Sequence, residues 1–542
     1  MSAKSGGNGW CAGAVGVALI VWLVLSALHL HFGELNQDEG WYLYGARQVA
    51  EGMQPYRDFA FTQGPVFPAV YAWAQPLVDA WGVMGGRLFT ALLGLAAALM
   101  GGLLAARLAP RRWAGPAATL AIVLLLCNAY HSYFSLVVKT YSLTALLMMT
   151  GVLCLTRARS RHGSAFLWSA GFFLALAAGV RLSAGIWLPV GGIYLLQQRS
   201  AHPRGWLYFG VGGVVGLLLA FGPGLYQAPE QMMFWLVYYH TARDPGSAVE
   251  LGLYKAGFVS RFVQAYFVTV ALLVAWLAGR WAVGRRMASG SSRSGVLWVG
   301  AGLLTLLHGL APIPYEDYQV MLMPLVAALI ASGVAHFIEA RVPESRQHDG
   351  MRATVWCVLL LSVAAAFSSP LNQDWFIRGR DRIWWRIKEQ SDLATLQSAG
   401  RWLADRAGRG EMLLTQDTYL AVEAGLRVPP GLELGPFSYY PDWSREQAER
   451  MRVLNREMMI ELLETSEANW AAFSGYGLSI RSPDVTELSA EEQAELRAIL
   501  ERRYEYKKTV PHFGQAHTPL EIYERTVPYP HRTEQQPASP DP

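Results

Sequence analysis

Apolar residues in this 542-residue chain come in long runs separated by short polar interruptions, up to about residue 369. A helix needs about 20 apolar residues to cross a hydrocarbon core, and shorter arms can pair where protein surrounds them. The runs predict eleven spans, near 10–30, 84–106, 115–131, 140–156, 164–180, 184–197, 205–225, 258–278, 295–312, 318–338 and 353–369. Arg181 interrupts the 164–197 pair after a short first arm. The first run, WCAGAVGVALIVWLVLSALHL, exceeds the roughly 7–15-residue core of a signal peptide and lacks a small-x-small cleavage site, so it reads as a retained anchor.

Beyond residue 369 the pattern changes. SDLATLQSAGRWLADRAG and AEEQAELRAILERRY read as helices, and REQAERMRVLNREMMIELLE as one amphipathic helix with charges at i,i+4 spacing. EMLLTQ, NWAAFSG and PLEIYERTV read as strands. The expected organisation is a polytopic α-helical domain over 1–369, a small α/β domain with a mixed sheet over 370–527, and a Pro-rich disordered tail over 528–542.

Composition agrees: 52% of residues are hydrophobic and 16% charged, against about 25% charged in an ordinary soluble domain. No Asp or Glu occurs from Trp81 to Pro229. The net charge of +4 is carried by Arg residues in short loops and makes no basic face for nucleic acid. These arginines cluster in alternate loops, at Arg107, Arg111 and Arg112, then Arg157, Arg159 and Arg161, then Arg199 and Arg204, then Arg280, Arg285, Arg286 and Arg293, then Arg341, Arg346 and Arg352. That side is expected to be cytoplasmic, as is the N-terminus. The loops 31–83 and 226–257, the turn 313–317 and the C-terminal domain are then expected outside the cytoplasm. All four cysteines lie in apolar segments without metal-ligand spacing.

Candidate chemistry gathers on the outer side. NQDEGWYLYGARQVAEGMQPY predicts a helix that Asp38 could cap, with Glu39 complementing its dipole, ending at Gly52. The segment 57–81, aromatic and broken by Pro, predicts an interfacial helix roofing a membrane-level cavity. In APEQMMFWLVYYHTARDPGSAVE, His240 and Arg243 are three apart and share a helix face. Lys139 and Arg181 sit at outer ends of spans, where a cation snorkels to headgroups or holds an anionic ligand, and Lys139 reads as a snorkelling residue first. Carboxylates beside cations suit transfer from a phosphate-linked lipid: one acid takes a proton from an acceptor hydroxyl, and cations stabilise the departing phosphate. No Gly-rich phosphate loop points to a soluble nucleotide donor.

With one anchor followed by DEGWYLYGARQVAEGMQPYRDF, a Pro-containing interfacial helix, FWLVYYHTAR and PYEDYQVMLMPLVAAL, the chain resembles GT-C fold membrane glycosyltransferases. The likeness runs to about residue 338 and is to protein O-mannosyltransferases, the lipid A aminoarabinose transferase and bacterial lipopolysaccharide glycosyltransferases. It implies a hexosyl- or pentosyltransferase of the cell inner (plasma) membrane, using a polyprenyl-phosphate-linked sugar. The acceptor would be a glycan, lipid or protein outside the cytoplasm. Asp38 would be the general base, with Glu39 organising the site. Arg243, Arg181 and Lys139 would contact donor phosphate, and Tyr42 and Gln63 would line the substrate pocket. His240 and Glu39 would hold a divalent metal ion, if one is used, and no nucleotide cofactor is implied. The chain departs from the aminoarabinose branch in carrying Gln63 and Gly64 where an acid and a Lys precede Pro65, and KTYS with Lys139 where an acid opens the fourth span.

Two other classes fit the residues. A transporter needs ionisable groups within its bundle; the carboxylate-free stretch 81–229 argues against proton coupling and leaves a flippase open. A polytopic scaffold would make the outer charge cluster incidental.

Overall fold

The computed structural model describes residues 9–158, 162–197, 203–243, 246–282, 292–368, 391–475, 478, 485 and 487–527. The expected disordered tail, 528–542, lies outside these residues, as do Arg159, Arg161, Arg199, Arg285 and Arg286. The chain divides into two compact units, 1–394 and 395–542.

The first unit is helical, and every expected apolar run is realised as helix, though not as eleven uniform spans. Among the described residues six helices are long and apolar enough to cross a membrane: Gly9–Phe32, Val66–Leu108, Gly163–Val180, Gly205–Gln227, Glu316–Arg341 and Glu344–Phe367. Shorter apolar helices occupy Thr140–Thr156, Leu182–Leu196 and Ser294–Leu310. The run expected to span over 258–278 is instead bent by 89° between Ala248–Ala265 and Phe267–Ala282. At that bend the Ala265 carbonyl accepts from Asn128 Nδ2 at 2.9 Å, and the Tyr266 hydroxyl meets His131 Nδ1 at 3.2 Å. Backbone freed by a bend is tolerated at such depth when side chains re-satisfy it. Asn128 also interrupts the expected 115–131 span: the helix Ala114–Leu126 stops, and Asn128 caps the short helix Ala129–Phe134.

Segment 31–83, expected to roof a membrane-level cavity, folds into short helices joined by turns. Helix Gln37–Ala50 ends before Gly52, whose φ is 91°. Pro65 precedes the helix Val66–Tyr71, and a longer helix begins at Gln75. Gly82, at φ 58° and ψ −140°, kinks it before the span proper, a conformation few side chains tolerate. Beneath lie the packed rings of Trp41, Tyr42, Phe61, Phe67 and Tyr71. Trp73 is 87% exposed.

The second unit carries a four-stranded mixed sheet in the order β1-β2-β4-β3, where β1 is Leu413–Thr415, β2 Trp470–Phe473, β3 Tyr504–Phe513 and β4 Thr518–Arg525. Strands β1 and β2 run parallel, and the other pairs antiparallel. The three expected strands are β1, β2 and β4. The single helix expected over 445–464 is two, because Arg452 takes φ 62° and Asn455 starts a second helix by accepting from Met458 N–H at 2.9 Å.

Candidate active site

Helix Gln37–Ala50 sorts the two adjacent acids. The N-cap is Asn36 rather than Asp38: its side chain accepts from Asp38 N–H at 3.1 Å, and Glu39 reaches back to Asn36 N–H at 3.0 Å, closing a capping box. Asp38 is therefore released from capping. Neighbouring residues on a helix point about 100° apart, so the two carboxylates part company.

Glu39 turns inward and its side chain is wholly buried. Arg87 donates to it through Nε at 2.7 Å and Nη2 at 2.6 Å, and Val138 N–H donates at 3.1 Å. Arg87 Nη2 also reaches the Glu34 carbonyl at 2.9 Å. This ion pair knits the start of the roof to the bundle and leaves Glu39 no face toward a substrate.

Asp38 turns the other way. Its side chain is 24% exposed and lies 3.3 Å from Lys139 Nζ, while its Oδ1 accepts from Trp41 Nε1 at 3.3 Å. Lys139 neither snorkels nor stands free for a donor phosphate, which corrects both expectations. Its ammonium is held between Asp38 and Asp317, 3.2 Å from the latter, with its side chain 11% exposed.

Arg181 and Arg243 supply the remaining cations. The guanidinium of Arg181 lies 4.3 Å over the Tyr318 ring and 5.3 Å over Tyr141, and its Nη1 donates to Thr140 Oγ1 at 3.2 Å. That of Arg243 lies 5.4 Å over Tyr239. Burial pushes the Tyr239 hydroxyl up to about 12 despite Arg243 beside it. Burial, reinforced by Asp38, holds Tyr42 protonated far above the usual phenol range. Tyr42 lies within electrostatic reach of Asp38, Lys139, Tyr141 and Arg181. Tyrosines link these groups: Tyr239 feels both Arg243 and Asp38, and Tyr318 lies beside Arg181 and is felt by Arg243.

His240 is brought to the pocket's edge, on the turn after a stretch of π-helix at Phe234–Tyr238, a distortion that re-aims the side chains following it. Its Nε2–H donates to the Thr62 carbonyl at 2.6 Å, and Gln63 Nε2 lies 3.5 Å away. Burial and the neighbouring Arg243 lower its pKa to about 4, so the ring is neutral at physiological pH. Gln63 stands beside His240, with its own carbonyl taken by the Tyr56 hydroxyl at 2.5 Å.

The expected metal pair does not assemble. Glu39 is saturated by Arg87 and backbone amides, His240 Nε2 is committed to Thr62, and no group of three or more His, Cys, Asp or Glu converges among the described residues. Nor could a Lys take the place of Gly64. A Cβ there would sit 2.0 Å from the Gly179 carbonyl oxygen, because the roof loop docks directly on the end of helix Gly163–Val180. The next residue but one after Gly179 is Arg181.

No protein-family model matches the chain, and no curated protein matches it in sequence. Among solved structures it resembles ArnT from Cupriavidus metallidurans bound to undecaprenyl phosphate, over 95% of this chain and 98% of that one, at 14% identity and TM-score 0.58. The apo state of ArnT matches over the same shares, at 15% identity and TM-score 0.59. The fold is GT-C. Five residues expected at the site from the sequence, Asp38, Tyr42, Arg181, His240 and Arg243, lie within electrostatic reach of one another in this GT-C fold. Asp317, within PYEDYQ, is not among the residues expected from the sequence. The signal was available: an acid heads Glu316–Arg341, a helix long and apolar enough to cross a membrane, where ionisable groups are costly.

Proposed function

We propose that this multi-pass membrane protein is a glycosyltransferase. It moves a sugar, a hexose or a pentose, from a polyprenyl-phosphate donor to an acceptor on the extracytoplasmic side of the inner membrane. Its N-terminus lies in the cytoplasm and its second unit outside. The observation that carries this reading is the convergence of a partly open carboxylate, Asp38, with Arg181 and Arg243 in one tyrosine-lined pocket. ArnT, with the same fold, has been crystallised with undecaprenyl phosphate.

Asp38 removes the acceptor's proton as the acceptor oxygen attacks the anomeric carbon. Arg181 and Arg243 hold the donor phosphate and stabilise the charge it gains as the glycosidic bond breaks. A phosphate leaves readily, so no second carboxylate is needed as general acid. The tyrosine rings under both guanidiniums fix these cations before substrate arrives.

The deciding experiment compares purified wild-type protein with Asp38→Asn on a polyprenyl-phosphate sugar. Loss of a general base lowers turnover by about 10²–10⁴-fold while donor binding persists. Normal transfer by Asp38→Asn would remove it as base. A flippase, by contrast, would move the lipid across sealed vesicles without releasing polyprenyl phosphate. Mass spectrometry of envelope glycans and polyprenyl-linked sugars after deletion of the protein identifies sugar and acceptor.

A further inference from the structure

Asp317 has no part in the mechanism above, yet it is buried, with its side chain 7% exposed, and shares the Lys139 ammonium with Asp38 almost equally, at 3.2 Å against 3.3 Å. Its second oxygen, Oδ1, is buried without a hydrogen-bond partner among the described residues, as is the hydroxyl of Tyr130, which senses Asp317 electrostatically. Asp317 therefore has acceptor capacity to spare for an ammonium that carries three donors. A cation bonded to Asp38 alone would make it a poor proton acceptor, and an unpaired Lys at this depth is costly. A second carboxylate meets both difficulties.

Resting on the glycosyltransferase reading, we infer that Asp317 is a positioning residue that draws Lys139 away from Asp38 and so keeps Asp38 available as base. Lys139 in return cancels the charge of Asp317, which would otherwise repel an incoming phosphate. The two act as a compensated pair beside the base. Each alone is harmful, one by clamping Asp38 and the other by opposing the anionic donor.

The test uses the full chain in proteoliposomes with a polyprenyl-phosphate sugar, reading kcat and donor KM separately. Asp317→Asn lowers kcat by at least about tenfold with donor KM no higher than wild type, whereas Lys139→Gln raises donor KM about tenfold. The double variant, Lys139→Gln with Asp317→Asn, regains at least about tenfold in kcat over Asp317→Asn alone, which a packing role would not produce. A double variant no better than the worse single variant overturns the inference. Should Asp317→Asn fail to fold, the pair of Lys139→Gln and the double variant decides: a donor KM that does not rise in the first and fall again in the second overturns it. Wild-type protein that transfers no sugar defeats the glycosyltransferase reading itself. Wild-type transfer with unchanged Asp317→Asn kinetics defeats only the role of Asp317.

Discussion

Each unit of this protein contains buried carboxylates, and the two sets are held on opposite terms. In the helical unit Glu39 is gripped by Arg87, and Asp38 and Asp317 by Lys139. In the second unit Asp417 sits at the end of β1 and accepts from Ser474 N–H at 3.1 Å, Ser474 Oγ at 2.9 Å and Tyr419 Oη at 3.1 Å. Those donors are neutral, and burial pushes the Asp417 carboxyl up to about 6 against their combined pull. Cations keep a carboxylate charged. Neutral donors use theirs as a clasp, here joining the ends of two parallel strands. Burial alone does not mark a site; the sign of what surrounds the acid does.

The largest expected effect of breaking this contrast is in Glu39→Gln, which leaves Arg87 buried without its counter-charge. Stability should fall by about 3–5 kcal/mol, read as the unfolding temperature in detergent, with little left to assay for transfer. Asp417→Asn should act less, costing about 1–3 kcal/mol, since it deprives neutral donors of an acceptor rather than stranding a charge. Hydrogen exchange should confine that loss to the second unit.

The smallest effects sharpen the comparison through pH. Asp417, raised from 3.8 to about 6, binds more protons folded than unfolded, so its contribution to stability is present below 3.8 and is lost as pH rises through about 6. His240, lowered from 6.5 to about 4, binds fewer protons folded, so its contribution is present above 6.5 and is lost as pH falls toward 4. Peptide-resolved exchange between pH 4 and pH 7 should therefore show opposite slopes around the two residues. His240→Gln should flatten one and Asp417→Asn the other. Slopes of the same sign would contradict the contrast.

Much of the helical unit was legible because apolar runs long enough for a bilayer leave few alternatives. The 89° bend at Tyr266 was not, since it depends on Asn128 and His131 from a distant segment. Strand β3 escaped notice because YEYKKTVPHF is mostly exposed, contains a Pro and shifts register twice against β4, as an edge strand can. At the candidate site the acidic pair was visible, but not which acid faced the pocket. That choice follows from Asn36 taking the cap and Arg87 claiming Glu39, a partner 48 residues further along. Lys139 was read as a cation for lipid because its second carboxylate, Asp317, comes from 178 residues away.

Thr62, Gln63 and Gly64 each bind another part of the helical unit through a main-chain atom. The Thr62 carbonyl holds His240, the Gln63 carbonyl holds Tyr56, and the Gly64 amide meets the Val180 carbonyl at 3.3 Å. This tripeptide is a keystone whose backbone does the holding. Gly64 cannot take a longer side chain without moving the backbone of Gly179. New chemistry at this rim has to arrive on a neighbouring helix, where Arg181 already stands.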